Sequence, residues 1–414
     1  MVFSIPQFLR SPRIAAVLMF GFASGLPLSL TGATLQAWMT IEGQQIATIA
    51  WFSWIGLPYA LKFLWSPLMD RYVPPLLGRR RGWILVTQFA LLLGIAGMAS
   101  TSPSESLWFL GCCALWVAFA SASQDVVIDA YRTDVLSREQ RGAGAAAGVL
   151  GYRIAMLASG ALALILSEQI GWKLTYLLMA ALMAVTMLGT LLAPDPQQPP
   201  NPPRTLTEAV LAPLRELFGK PGAIGLLALV MLYKFGDALA GTLTTAFLIR
   251  GVGFSPTDVG LINKGFGLAC LLLGAVVGGL LLARWRLVSA LLLFGALQAI
   301  SNLSFAVLAL TGKSYPVLIF TIGFENLASG MGTAAFVAFA MALCNRSFSA
   351  TQYALLSAVA SLGRILFGPL TGPAVESLGW PGFFVLTFFA ALPGLWIVWH
   401  MRQTIHAMDN PDGQ

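Results

Sequence analysis

A chain of 414 residues in which 57% are hydrophobic and only 10% charged, with a mean hydropathy of +0.79, lies outside the range of soluble domains, where about a quarter of residues carry charge. This composition excludes a soluble enzyme or carrier. The formal net charge of +7 reflects a topological bias in the loops and gives no sign of nucleic-acid binding.

Apolar runs of about 20 residues or more, the length that crosses a ~30 Å hydrocarbon core, fall near 13–35, 46–69, 82–100, 107–133, 145–167, 173–193, 222–247, 258–282, 288–310, 315–343, 352–376 and 381–401. They predict an all-α integral membrane protein with twelve transmembrane helices. The first run is long enough to span and has no small-residue cleavage site, so it reads as a retained helix. With the N-terminus in the cytoplasm, sixteen Lys and Arg residues fall in loops on that side and three, Lys173, Arg250 and Lys313, on the other. That bias puts both termini in the cytoplasm.

The first span carries Gly21, Ser24, Gly25, Ser29, Thr31, Gly32 and Thr34. Small and hydroxyl residues allow close packing and offer hydrogen bonds to a polar ligand. Trp38, Trp51, Trp54, Trp65, Trp83 and Trp108 lie near predicted membrane edges and are expected to anchor the interfaces. Lys62, in the second span, is placed to snorkel to the interface or to answer Asp70. The loop that follows reads Ser66, Pro67, Leu68, Met69, Asp70, Arg71, Tyr72, then Gly78, Arg79, Arg80, Arg81, Gly82, Trp83.

The fourth span holds Gln124 and two acids, Asp125 and Asp129. Charge in hydrocarbon is costly and marks a solute path, a proton relay or a structural ion pair. At i and i+4 the acids share one helix face about 6 Å apart. Like charges that close resist joint ionisation, which makes the pair the candidate proton-coupling element. Arg153 in the fifth span lies at the depth of Asp125, each about 12 Å in from the same side of the membrane, and the two are expected to pair.

Between spans six and seven the chain breaks into Pro194, Pro196, Pro199, Pro200, Pro202 and Pro203, a run that stays extended. Thr205 and Glu208 then make a capping-box start. Leu206, Val210, Leu211, Leu214, Leu217 and Phe218, flanked by Arg204, Arg215 and Lys220, predict a short amphipathic helix on the cytoplasmic leaflet, kinked at Pro213. The expected organisation is a six-helix bundle over 1–193, this linker and helix over 194–221, a second six-helix bundle over 222–402 and a tail over 403–414.

In the second half, Lys234 and Asp237 share a helix face at i and i+3. Gly236, Gly241, Thr242, Thr244 and Thr245 surround them, echoing the first span. Asn263 and Lys264 fall in the eighth span, Glu325 and Asn326 in the tenth, and Arg364 in the eleventh, where it is expected to pair with Glu325. Five bases and four acids lie inside predicted spans, a near balance that implies pairing. For any single pair, a structural role in helix packing is the rival reading. With one of Asp125 and Asp129 protonated, the set carries surplus positive charge that suits an anionic solute.

The halves repeat each other. Gly151, Tyr152, Arg153, Ile154 answers Gly363, Arg364, Ile365, and each is followed by a Gly-Trp pair, Gly171 and Trp172, then Gly379 and Trp380. Cys112, Cys113, Cys270 and Cys344 have no metal-like spacing and read as packing residues. No nucleophile stands with a base, and the two histidines, His400 and His406, sit together at one end. We therefore expect no enzyme, no cofactor and no metal.

Six plus six helices with same-sense repeats is the plan of the major facilitator fold. The Asp-Arg and Gly-Arg-Arg loop resembles that superfamily's loop 2–3 signature, with five extra residues between its parts and Ser66 for the usual leading Gly. The resemblance implies a cytoplasmic gate built on Asp70, with Arg71, Arg79, Arg80 and Arg81. Longer strings resemble the AmpG muropeptide permeases: Gly21 to Pro27 (GFASGLP), Leu35 to Met39 (LQAWM), Lys62 to Tyr72 (KFLWSPLMDRY), Ser121 to Asp125 (SASQD), Thr133 to Ala146 (TDVLSREQRGAGAA), Phe247 to Phe254 (FLIRGVGF) and Phe348 to Ser357 (FSATQYALLS).

That resemblance implies a proton-driven importer in the bacterial inner membrane, carrying N-acetylglucosaminyl-1,6-anhydro-N-acetylmuramyl peptides into the cytoplasm for cell-wall recycling and so feeding β-lactamase induction. Its partners would be this anhydromuropeptide, protons and membrane lipid, with no nucleic acid, and it would act as a monomer. Gln124, Arg153, Lys234, Asp237, Asn263, Lys264, Glu325, Asn326 and Arg364 are the expected substrate-binding residues. Some members carry two further C-terminal hydrophobic segments, whereas His406 to Gln414 is polar here. Twelve helices suffice for transport if that pair is peripheral. Two rivals are a transporter of another anionic solute such as acetyl-coenzyme A, which would call for a denser phosphate-binding cluster, and a non-transporting sensor of cell-wall fragments, which would call for longer loops.

Overall fold

Hydrocarbon offers no water to backbone N–H and C=O groups, so a spanning segment must satisfy them within itself. A computed structural model describes residues 11–136, 140–195, 219, 222–343 and 349–409, and among these residues the regular structure is helical throughout. The elements that position the site are α1 (Pro12–Thr31), α2 (Ile46–Trp51), α3 (Gly78–Ala99), α4 (Leu107–Val135), α5 (Arg141–Met156) and α6 (Ala163–Leu192). After them come α7 (Ala223–Leu232), α8 (Phe235–Ala246), α9 (Gly267–Leu282), α10 (Leu287–Thr311), α11 (Tyr315–Leu343), α12 (Ser349–Phe367) and α13 (Thr371–His400). The linker and amphipathic helix expected over 194–221 lie outside the described residues, apart from Pro194, Asp195 and Gly219. The chain divides into two compact units, residues 1–44 with 55–204, and residues 45–54 with 205–414.

Ten helical stretches among the described residues are long and apolar enough to cross a membrane. Two of them, Ala143–Leu192 and Leu355–His400, run 50 and 46 residues. At 1.5 Å per residue such a length is more than twice a ~30 Å core. Each is broken at one glycine with left-handed φ: Gly171 (φ 80°, ψ 164°) inside α6 and Gly379 (φ 67°, ψ 172°) inside α13. Glycine alone adopts this backbone without a Cβ clash. The tryptophan after each break is packed in its own unit in the same way. Trp172 stacks on Trp38 at 5.6 Å with Tyr176 beside it, and Trp380 lies 5.2 Å from Phe247 with Phe384 beside it. Trp38 is therefore a core residue, 2% exposed, and not the interface anchor expected from its position near a span end.

Within the first unit α1 and α5 cross backbone to backbone. A Cβ on Gly21 would collide with the Gly148 carbonyl, and one on Gly151 with the Leu18 carbonyl. Around this crossing Phe20, Ile14, Val17, Ile84, Tyr131 and Ala147 form the core. In the second unit Tyr233, Leu291, Phe294, Phe339 and Val398 do the same.

Regular α-helix is interrupted at several places among the described residues. Lys234 lies between α7 and α8 with φ −107° and ψ 14°. Among the described residues three stretches wind as π-helix: Leu157–Leu162, Phe247–Val252 and Val259–Phe266. Such turns are frequent at functional sites, and the last carries Asn263 and Lys264. At the first, Thr34 Oγ1 donates to the Ser159 carbonyl at 2.6 Å.

Replacing Gly151 by alanine forces α1 and α5 apart, an overpacking worth about 1–3 kcal/mol. Thermal unfolding in detergent is expected to fall for Gly151→Ala and to stay within error for Gly241→Ala, whose Cβ meets nothing within 4 Å.

Candidate functional site

In the first unit the site is built on one face of α4. Ser121, Gln124 and Asp125 follow at helical spacing, and Asp129 stands one turn beyond. Ser24 of α1 donates from Oγ to Asp125 Oδ1 at 2.5 Å. A cavity of about 280 Å³ opens beside this bond, lined by Ser24, Asp125, Asp129, Arg132, Tyr152 and Arg153 among others. Both acids of the candidate proton-coupling pair thus face one cavity, but in different settings. Asp125 is held by a hydroxyl in the interior. Asp129, 60% exposed, accepts from Arg132 Nη2 at 3.0 Å within its own helix.

The expected Asp125–Arg153 ion pair is absent among the described residues. Both groups line the cavity, but Arg153 points Nη1 at Met156 Sδ, 3.7 Å away, and its Nε is buried without a hydrogen-bond partner. The basic group whose charge bears on Asp125 is Lys62, whose expected alternative partner Asp70 has its side chain outside the described residues. Matching depth along two helices does not fix which faces meet, and that is why the pairing differs.

Gln124 is completely buried with both amide atoms unpartnered among the described residues, and the hydroxyl oxygens of Ser121 and Tyr59 are buried as well. Tyr59 lies beside Ser121 and within electrostatic reach of Asp125. It sits in an apolar stretch, Gly56 to Leu61, that gives no chemical signal.

The second unit holds a larger polar cluster. Lys234 Nζ donates to Thr333 Oγ1 at 2.6 Å, and its charge acts on Asp237 and Glu325. Asp237 Oδ2 accepts from Gln298 Nε2 at 2.7 Å. Glu325 Oε2 accepts from Asn326 Nδ2 at 2.5 Å, and the bases acting on it are Lys234 and Lys264. Asn263 Nδ2 is buried and unpartnered. The expected Glu325–Arg364 pairing is replaced by this arrangement, with Arg364 exposed near the end of α12. Sequence reading missed Gln298, Asn302 and Thr333. Gln298 and Asn302 stand at i and i+4 in an otherwise apolar span, the same signal that singled out Asp125 and Asp129.

The arginines of the Gly78 to Trp83 loop bind within the first unit. Arg80 Nε pairs with Asp134 Oδ2 at 2.8 Å, tying the start of α3 to the end of α4. Arg81 donates from Nε to the Thr190 carbonyl at 3.2 Å, from Nη2 to the Leu191 carbonyl at 2.7 Å and from Nη1 to Asp195 Oδ1 at 2.8 Å. A guanidinium so placed caps the negative end of the α6 dipole. Arg71 is exposed beside the Tyr72 ring, and Arg79 opens the first turn of α3. The side chain of Asp70, the expected latch acid, lies outside the described residues.

Residues 14–248 match the family model of the Major Facilitator Superfamily. The chain is 52% identical over 403 residues to the anhydromuropeptide permease of Escherichia coli (strain K12), covering 96% of this chain and 82% of that one. It is 32% identical over 412 residues to the putative transporter AmpG 4 of Rickettsia felis, covering 97% and 99%. Among solved structures, an inward-facing, unoccupied bacterial homologue of the human lysosomal transporter Spinster aligns with a TM-score of 0.76 at 16% identity, over 98% of this chain and 99% of that one. A POT family transporter in complex with a thioalcohol-conjugated peptide aligns with a TM-score of 0.74 at 13% identity, over 95% and 96%. At such identities these two speak for the fold alone. A multi-pass helical chain, matched by the superfamily model over more than half its length and by permeases over nearly all of it, belongs to the AmpG family of transporters within the major facilitator superfamily.

Proposed function

We propose that this chain is a twelve-helix, proton-coupled importer of anhydromuropeptides in the bacterial inner membrane, with both termini in the cytoplasm. The observation that carries the reading is the 52% identity to an anhydromuropeptide permease over 96% of the chain. The breaks at Gly171 and Gly379 support twelve crossings, because each divides one over-long stretch into two of spanning length. The excess of Lys and Arg in alternate loops supports the orientation. Through the recycled peptides such an importer also supplies β-lactamase induction.

In this mechanism Asp125 takes up a proton from the periplasmic side. Asp129, on the same helix face and held by Arg132, lies on the proton's path through the cavity. The peptide carboxylates of the substrate meet Arg153, Lys234, Lys264 and Arg364, while sugar hydroxyls and amides meet Gln124, Asn263 and Asn326. Asp237 and Glu325 keep the buried lysines neutralised when substrate is absent, since an unpaired buried charge is strongly destabilising. Asp70 and Arg71 with Arg79, Arg80 and Arg81 form the cytoplasmic gate.

The deciding experiment is uptake of radiolabelled anhydromuropeptide into proteoliposomes, with and without an inward proton gradient. Accumulation that requires the gradient is expected; equilibration without accumulation would remove the proton, and no uptake by folded protein would remove the substrate. In the same assay Asp125→Asn and Asp129→Asn are each expected to abolish gradient-driven accumulation and to leave downhill equilibration measurable. Unchanged accumulation in both variants would place the proton elsewhere.

A further inference from the structure

The string Phe247 to Phe254 and the turn after it take no part in the mechanism above, yet they lead into the π-helical stretch Val259–Phe266, which carries Asn263 and Lys264. The chain turns at Gly253, whose φ of 90° suits glycine. Phe254, 2% exposed, donates its N–H to the Leu248 carbonyl at 2.9 Å. Ser255 and Asp258 then form a reciprocal cap: Ser255 Oγ accepts from the Asp258 N–H at 3.0 Å, and Asp258 Oδ2 accepts from the Ser255 N–H at 3.1 Å. The same Oδ2 accepts a second bond, at 3.0 Å, from the hydroxyl of Tyr315 at the start of α11. Phe254 meets the Tyr315 ring edge-on at 5.4 Å, and the Lys313 ammonium faces the two rings at 5.7 and 6.0 Å. These contacts hold the Tyr315 ring with its hydroxyl at Asp258.

The other end of the stretch is fixed to the same helix. Gly267, the first residue of α9, packs onto the Asn326 amide so closely that a Cβ would stand 3.0 Å from Nδ2, and that amide donates to Glu325 Oε2 at 2.5 Å. Beyond it α9 and α11 cross backbone to backbone, since a Cβ on Gly274 would collide with the Leu327 carbonyl and one on Gly330 with the Leu271 carbonyl. This crossing keeps α9 from turning about its axis against α11. A π-helical turn holds one residue more than an α-helical turn, and releasing that residue would rotate what precedes it by about 100° relative to α9. Lys264, whose charge acts on Glu325, lies within the stretch. Its azimuth therefore depends on both ends staying where they are.

We propose that Tyr315 and Asp258 are positioning residues for Lys264: their hydrogen bond ties the start of the π-helical stretch to the helix that carries Glu325 and Asn326, and so holds the lysine where the peptide carboxylates of the substrate bind. One oxygen of Asp258 serves the cap and the tie together. A shift of the Tyr315 hydroxyl is therefore felt by the first residues of the stretch. Tyr315 is 44% exposed, and Asp258 keeps its cap when the hydroxyl is removed, so cutting the tie leaves the core undisturbed. This inference rests on the transport reading, in which Lys264 meets substrate, but the first part of its test needs no substrate.

The test compares the purified protein in lipid nanodiscs with Tyr315→Phe by amide hydrogen exchange. Exchange over residues 259–266 is expected to quicken about tenfold in the variant, with residues 268–282 unchanged and the melting temperature within error. Equal exchange over 259–266 overturns the proposal, as does quickening that extends through α9. In proteoliposomes Tyr315→Phe is expected to raise KM for radiolabelled anhydromuropeptide about fivefold with Vmax within about twofold. Asp258→Asn, which keeps an oxygen for both donors, is expected to stay near the parent, while Asp258→Ala matches or exceeds Tyr315→Phe. In a Lys264→Met background Tyr315→Phe is expected to add nothing, and its full effect there would overturn the assignment to Lys264. Should Lys264→Met leave no uptake, the KM split decides, because a fall in Vmax at unchanged KM would mean a packing role only. Failure of the parent protein to take up anhydromuropeptide would overturn the function and leave the exchange result to decide the tie.

Discussion

An ionised group in a low-dielectric interior must be paired, hydrogen-bonded or given water, because its uncompensated burial costs several kcal/mol. Much of the internal arrangement of this transporter follows from that requirement. The first unit meets it by giving Asp125 a hydroxyl from Ser24 and placing it on a cavity, with the charge of Lys62 in reach. The second unit spreads the same cost over a network in which two lysines and two acids share three amides and a hydroxyl.

The two units share a construction but not a chemistry. Each turns its last pair of helices at a left-handed glycine, and each packs the next tryptophan against an aromatic residue near the end of its first span, Trp38 in one and Phe247 in the other. The tertiary roles of Tyr176 and Phe384, four residues beyond those tryptophans, also correspond. The glycine break and its aromatic packing are therefore common to both units, while their charged residues differ in identity and partners. The same division applies to α10, whose amides face Asp237, and to α3, whose Gln88 instead bonds Thr186 and Thr190 of α6. One framework accommodates two polar interiors because helix crossing depends on small residues, and side-chain chemistry at the remaining positions is free to diverge.

Backbone interruptions set the site's geometry as much as side chains do. Lys234 stands outside regular helix, and Asn263 and Lys264 stand in π-helical turns. Such departures rotate a residue off the face it would occupy at 3.6 residues per turn. This accounts for the contrast between Lys234 and Asp237, which helical spacing would place together on one face, and their separate hydrogen bonds to α11 and α10.

The amino-acid sequence by itself determined the membrane class, the positions of the long apolar segments, the charge bias between them and the charged residues that fall inside them. Each of these depends on local composition or on spacing of a few residues, and solvent imposes them segment by segment. Even the Gly-Trp repeats were legible, since glycine with tryptophan at a span end is a local signal. Only the tertiary structure decided that the charge of Lys62 bears on Asp125, that the charges of Lys234 and Lys264 bear on Glu325, that Trp38 is core, and that Gln298 and Asn302 attend Asp237. Those outcomes depend on which faces of distant helices meet. Depth along a span says nothing of azimuth around it, and azimuth is set by packing contacts such as the Gly21 and Gly151 crossing, which no single segment contains.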